Sequence, residues 1–168
     1  MNNLPIPAPE ALSHSQRLQQ VLSDELTSAG GWLSFARFME QLLYAPGLGY
    51  YTAGARKFGA AGDFITAPEM TALFGQALAR QVAQIMAASV PVVLEVGAGS
   101  GRLAADLLLA LEKANALPEH YFILDLSADL RQRQQETIAA AVPHLLSRVA
   151  WLDRLPEQFS GVVVANEL

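Results

Sequence analysis

The segment Glu95-Val96-Gly97-Ala98-Gly99-Ser100-Gly101 constrains this chain more than any other. An apolar run, Val90-Pro91-Val92-Val93-Leu94, precedes it, and Leu103, Leu107, Leu108 and Leu111 follow at helical spacing. A short continuous apolar run predicts a strand buried on both faces. Alternate glycines after it predict a sharp turn whose backbone a ligand can approach more closely than a β-carbon would allow. The helix beyond the turn begins with unpaired N–H groups. Strand, glycine turn and helix in this order predict a parallel sheet, which binds ligands outside the carboxyl ends of its strands.

The pattern continues beyond that turn. Tyr121-Phe122-Ile123-Leu124 reads as a second buried strand ending in Asp125, and Ser127 caps a helix of about 128–142 stopped by Pro143. Val149–Leu152 and Gly161–Ala165 read as third and fourth strands. Alternating strand and helix predict an α/β, doubly wound parallel sheet. Residues upstream of 89 read as helical instead. Ser13 and Gln16 have capping-box spacing ahead of a helix over about 14–28. Ser34 caps a second helix that ends before Pro46-Gly47. Residues 46–62 form a glycine-rich loop. Thr66-Ala67-Pro68-Glu69 repeats the capping-box spacing before a third helix carrying Met70, Leu73, Phe74, Leu78, Val82 and Ile85. The expected organisation is a helical region over 1–88 and a strand-bearing region over 89–168.

Composition narrows the function. Charged residues make up 16% of the chain, against ~25% in ordinary domains, and apolar residues 52%. That excludes a disordered chain. A net charge of −5 with no basic run is a poor match for a phosphate backbone, so nucleic acid is not an expected partner. The absence of cysteine excludes disulfides and thiolate metal sites within the chain. His14, His120 and His144 share no ligand spacing, and no metal is expected. No membrane span and no basic leader are evident, which predicts a cytoplasmic protein.

The glycine spacing then selects among ligands. The dinucleotide fingerprint G-x-G-x-x-G requires a third glycine where Arg102 stands, which disfavours a nicotinamide dehydrogenase. A P-loop requires G-K-[ST], which is absent. An acidic residue followed by G-x-G-x-G instead matches the class I S-adenosylmethionine methyltransferases. Glu95 places negative charge where that cofactor carries cationic ammonium and sulfonium groups. Asp125, at the end of the second strand, can accept hydrogen bonds from both ribose hydroxyls. The competing account of Asp125 is a turn or helix-capping aspartate.

More specific segments resemble the MidA family of class I methyltransferases, relatives of the mitochondrial complex I assembly arginine methyltransferase. They are Ser34–Glu40, Leu43–Tyr51, Gly62-Asp63-Phe64-Ile65-Thr66-Ala67-Pro68-Glu69 with Phe74-Gly75, the glycine turn, Asp125-Leu126-Ser127 with Leu130 and Gln134, and Ala165–Leu168. Ala98 stands where the family commonly has proline, and Asp125 where it often has glutamate. Both changes keep the chemistry.

The resemblance implies S-adenosylmethionine as cofactor, bound by Glu95, Gly97, Gly99, Gly101 and Asp125. It places Asp153 near the adenine, although a solvated loop acid beside Arg154 explains that residue as well. It lays the Gly62–Glu69 segment over the cofactor pocket, with Asp63 and Thr66 against the ligand; a plain capping box is the competing account of Thr66 and Glu69. Asn166 and Glu167 would line the acceptor side as the catalytic pair, Glu167 orienting an arginine, unless Glu167 is only a helix-N-terminal acid. The implied partner is a protein substrate, in mitochondrial members a respiratory complex I subunit. A non-catalytic, methyltransferase-like assembly or interaction protein is the alternative.

Such a sheet has seven strands in this class, and only the first four fit within 168 residues. The expectation is therefore the N-terminal portion of a larger enzyme, with an incomplete Rossmann-like sheet. Its exposed edge, Val162-Val163-Val164, would favour oligomers, and the fragment alone would transfer no methyl groups.

Overall fold

The computed structural model describes residues 6–53 and 65–167. The chain divides into two compact units, residues 1–55 and 56–168.

The first unit pairs helix α1 (Pro9–Ser28) with α2 (Phe35–Tyr44). The expected start of α1 at a Ser13 cap is corrected. The helix begins at Pro9, after an extended Ala8, and Ser13 lies inside it. Proline in the first turn loses nothing, because its missing N–H would have had no partner there. Ser34 caps α2 as expected, accepting from the Arg37 N–H at 3.2 Å. Glu25 of α1 ties the helices by accepting from Arg37 and from the Gln41 amide. His14 bonds the Leu48 carbonyl at 2.8 Å. Neither helix contains a buried residue.

The second unit opens on a helical turn α3 (Ala67–Met70) and helix α4 (Ala72–Ala88). One continuous helix was the expectation. Thr71 interrupts it with an extended backbone, and its hydroxyl restarts the helix by accepting from the Leu73 N–H at 3.2 Å. The order then runs β1 (Val92–Val96), α5 (Arg102–Lys113), β2 (His120–Leu124), α6 (Ala128–Ala141), a 3₁₀ turn (Pro143–Arg148), β3 (Val149–Leu152) and β4 (Val162–Ala165). All four strands are parallel, in the order β3-β2-β1-β4. The alternating strand–helix expectation holds.

β1 starts two residues later than the apolar run suggests and takes in Glu95 and Val96. Pro91 cannot donate to a ladder; its carbonyl instead accepts from the Glu119 N–H at 2.7 Å. Burial differs as well. Val93, Glu95, Tyr121, Ile123, Val149, Val162 and Val164 share one sheet face and are all buried. On the opposite face Val163 is 58% exposed, Ala150 and Ala165 are exposed, and Phe122 is half-buried. Among the described residues one face of the sheet is covered, by α4, α5 and α6 through Val82, Met86, Leu107, Leu111 and Ile138, while on the other only Leu94 of β1 is buried. Gly75 lets α4 lie against α5, since a β-carbon there would stand 2.7 Å from Cβ of Asp106.

Candidate functional site

The carboxyl ends of β1, β2 and β4 lie side by side, because Val96 pairs with both Leu124 and Ala165. Everything that follows those three residues therefore emerges along one edge. From β1 comes the glycine turn, from β2 Asp125, and from β4 Asn166 and Glu167.

Gly97, Gly99 and Gly101 all have positive φ, of 67°, 55° and 83°, a region that side chains resist at ~1–2 kcal/mol per residue. A β-carbon on Gly99 would meet nothing within 4 Å. One on Gly101 would sit 2.8 Å from Cα of Gln134. Gly99 thus keeps an open approach, and Gly101 lets α6 close against the turn. The Gly97 N–H donates to the Leu124 carbonyl at 2.9 Å, continuing the ladder one residue past β1.

Glu95 is 2% exposed and accepts from the Tyr121 hydroxyl at 2.6 Å. Burial pushes its carboxyl up to about 7, the Tyr121 hydrogen bond pulls it down, and the Asp125 charge pushes it up again. Asp125 is also buried. One oxygen accepts from the Ser127 N–H at 3.0 Å and the other from the Gln134 amide at 2.8 Å. Burial raises its pKa, and these hydrogen bonds and Arg131 oppose the rise. The Ser127 hydroxyl also accepts from the Leu130 N–H, capping α6 as its spacing predicts.

Asp153 follows β3 with its side chain 91% exposed and ion-paired to Arg131 at 2.7 Å. It lines a cavity of about 450 Å³ together with Trp151, Leu152, Arg154, Leu155, Pro156 and Glu157. Asn166 is half-buried and Glu167 exposed, with φ of 54° at Glu167. Thr66 is half-buried. The expected capping box is not formed, since the Thr66 side chain caps nothing and Glu69 instead accepts from the Ser100 hydroxyl. That contact ties α3 to the glycine turn. Asp63 lies outside the described residues. No cluster of three or more metal-ligating side chains occurs among the described residues.

Sequence reasoning left four side chains at this edge without a role: Tyr121, Arg131, Gln134 and Trp151. Arg131 donates to the Asp125 carbonyl at 2.7 Å and to the Leu152 carbonyl at 2.5 Å, so it clasps the ends of β2 and β3. Gln134 was open to detection. It stands on the apolar stripe of α6 between Leu130 and Ile138, and a lone amide on such a stripe needs buried partners.

A parallel sheet with this order, a left-handed glycine turn after β1 and a buried acid after β2 define the class I methyltransferase architecture. A family model for S-adenosyl-L-methionine-dependent methyltransferases matches residues 77–168, more than half of the chain, and the chain belongs to that family. A solved protein of Burkholderia thailandensis, bound to S-adenosyl-homocysteine, is 53% identical with a TM-score of 0.90, over 99% of this chain and 44% of that one. A second structure from the same organism, a native crystal form, is 51% identical with a TM-score of 0.85, covering 42% of its chain. Among curated proteins, the mitochondrial protein arginine methyltransferase NDUFAF7 homolog of Caenorhabditis elegans is 31% identical over 78% of this chain. The Danio rerio protein arginine methyltransferase NDUFAF7 is 40% identical over 48% of it. This chain spans 32% and 20% of those two relatives.

These relatives, with those of Drosophila melanogaster and Rattus norvegicus, are named as mitochondrial. That overturns the cytoplasmic expectation. It rested on the lack of an evident membrane span and basic leader, and neither absence specifies a compartment. No described helix is long and apolar enough to cross a membrane.

Proposed function

We propose that this chain is the cofactor-binding part of an S-adenosylmethionine-dependent protein arginine methyltransferase. One observation carries the reading: an open left-handed glycine turn and a buried, doubly hydrogen-bonded aspartate emerge side by side at the strand ends. The relative with bound S-adenosyl-homocysteine supports it, being alike over 99% of this chain. Residues 89–168 would be the first half of the cofactor domain, with 1–88 as a helical region ahead of it.

The residues fit the cofactor's chemistry. A carboxylate oxygen accepts more than one hydrogen bond, so Asp125 can hold its present donors and still receive a ribose hydroxyl. Gly97, Gly99 and Gly101 admit a ligand against bare backbone. Glu95, once ionised, would supply negative charge for a cationic group, and the cavity beside Asp153 suits a flat base next to Trp151. The bound cofactor would supply an activated methyl group on a sulfonium. The protein's task is then to align the acceptor and exclude water, which is worth several orders of magnitude in rate. Glu167 would orient a guanidinium through paired charge-assisted hydrogen bonds, with Asn166 as its catalytic partner, and Thr66 and Asp63 would contact the cofactor. The acceptor would be a protein arginine, and a respiratory complex I subunit is the finer proposal. The exposed β4 edge would favour self-association.

Calorimetric titration of the chain with S-adenosyl-homocysteine tests the reading. Micromolar binding that Asp125→Asn weakens at least about tenfold, the order expected for a charged hydrogen bond, upholds it. A folded chain that binds nothing would favour the non-catalytic assembly protein instead.

A further inference from the structure

We propose that Gln134, locked by Trp151, is the positioning residue that sets Asp125 for the ribose of the cofactor. The inference rests on the cofactor reading above.

Gln134 is completely buried, and its amide joins three separate segments. Trp151, the third residue of β3, donates its indole N–H to the amide oxygen at 2.8 Å. The amide nitrogen donates to Asp125 at 2.8 Å and to the Gly99 carbonyl at 3.1 Å. The direction of every bond is fixed by chemistry. An indole N–H can only donate, so the end of the amide that meets Trp151 must be its oxygen. The nitrogen therefore faces Asp125 and Gly99, both pure acceptors when the carboxyl is ionised, and its two hydrogens match those two acceptors. A flipped amide would set its oxygen against the carboxylate and its N–H against the indole donor, losing three bonds together.

This lock acts on both halves of the proposed site. It holds one Asp125 oxygen, while the Ser127 N–H holds the other, so the carboxylate plane cannot rotate. It also holds the Gly99 carbonyl. Because the peptide is planar and trans, the Ser100 N–H then points the opposite way. The close packing at Gly101, where Gln134 Cα leaves no room for a β-carbon, keeps the backbone of α6 in register with the turn. Without Gln134, Asp125 would be a buried acid with one oxygen lacking that fixed donor. With Gln134 it is an acceptor of defined direction.

The test compares two ligands against three chains. S-adenosyl-homocysteine and its 2′-deoxy analogue are titrated into wild type, Gln134→Met and Trp151→Phe, with circular dichroism confirming the fold. Wild type should prefer the hydroxylated ligand by roughly 10-fold or more, as one hydrogen bond to a charged group gives. In Gln134→Met that preference should fall below roughly 3-fold, with Trp151→Phe in between, because a misdirected carboxylate loses most of such a bond. If both ligands weaken equally and the preference survives, Gln134 merely supports the fold and the proposal fails. Should Gln134→Met not fold, Trp151→Phe decides, and an unchanged preference there also defeats it. A wild type that binds neither ligand sinks the cofactor reading itself, which is a different failure and takes this inference with it.

Discussion

Glu95 carries the clearest consequence at the level of single residues. Its carboxyl ionises near 7 in the folded protein, against an ordinary value of 4.5, with burial the leading cause. Between those values the unfolded chain is already ionised while the native one still holds its proton. The stability Glu95 contributes is therefore complete below about pH 4.5, falls as pH rises to about 7, and is level beyond. Denaturant unfolding of wild type and Glu95→Gln at pH 5 and pH 8 should move the difference in the variant's favour by roughly 2–3 kcal/mol at the higher pH. An unchanged difference would mean that Glu95 ionises at its ordinary value. The glycines part company in the same way. Gly101→Ala meets the backbone of α6 and should cost about 2–3 kcal/mol in unfolding experiments. Gly99→Ala meets nothing and should cost about 1 kcal/mol, through its left-handed backbone alone. The left-handed glycine turn after β1 and the position of Asp125 after β2 were legible from spacing. The network that fixes Asp125 was not, because which of several polar residues turn inward depends on how α6 sits against β3.

Helices and strands show where local rules gave way. Of four capping signals in the sequence, at Ser13, Ser34, Thr66 and Ser127, only Ser34 and Ser127 cap through their side chains. Pro9 pre-empted Ser13. At Thr66 the carboxylate needed to complete the box was drawn to Ser100, and the real cap, Thr71, has no acid three residues on to announce it. Thr71→Ala should accordingly cost about 1 kcal/mol. Thr66→Ala should leave stability within about 0.5 kcal/mol and affect only ligand binding. Thermal melts of both variants check the pair, and the reverse order would mean that Thr66 is the working cap. The existence of the four strands was legible from apolar runs. Their limits were not, since Pro91 delays β1 and pairing with β2 and β4 carries it on through Glu95.

At the scale of the whole chain, the expectation of strands buried on both faces holds for β1 alone. β4 alternates buried and exposed residues, and its outer edge has no neighbour among the described strands. Val163→Lys should leave the fold intact, because that side chain is 58% exposed. Charge on an edge strand opposes pairing, so the variant should sediment with a lower weight-average mass than wild type if wild type associates through this edge. Equal masses would place any association elsewhere. The apolar character of a strand is readable one chain at a time. Which of its faces finds a cover depends on the rest of the assembly.

The strand order β3-β2-β1-β4 also has a bearing on time. β1 and β2 are bonded on both sides, so their amides can exchange with solvent only after a neighbour has let go, whereas β3 and β4 can peel from the outside. The glycine turn and Asp125 leave the two interior strands. The elements proposed to hold the cofactor thus hang on the slowest-opening hydrogen bonds among the described strands, so their amides should be the last of this sheet to exchange.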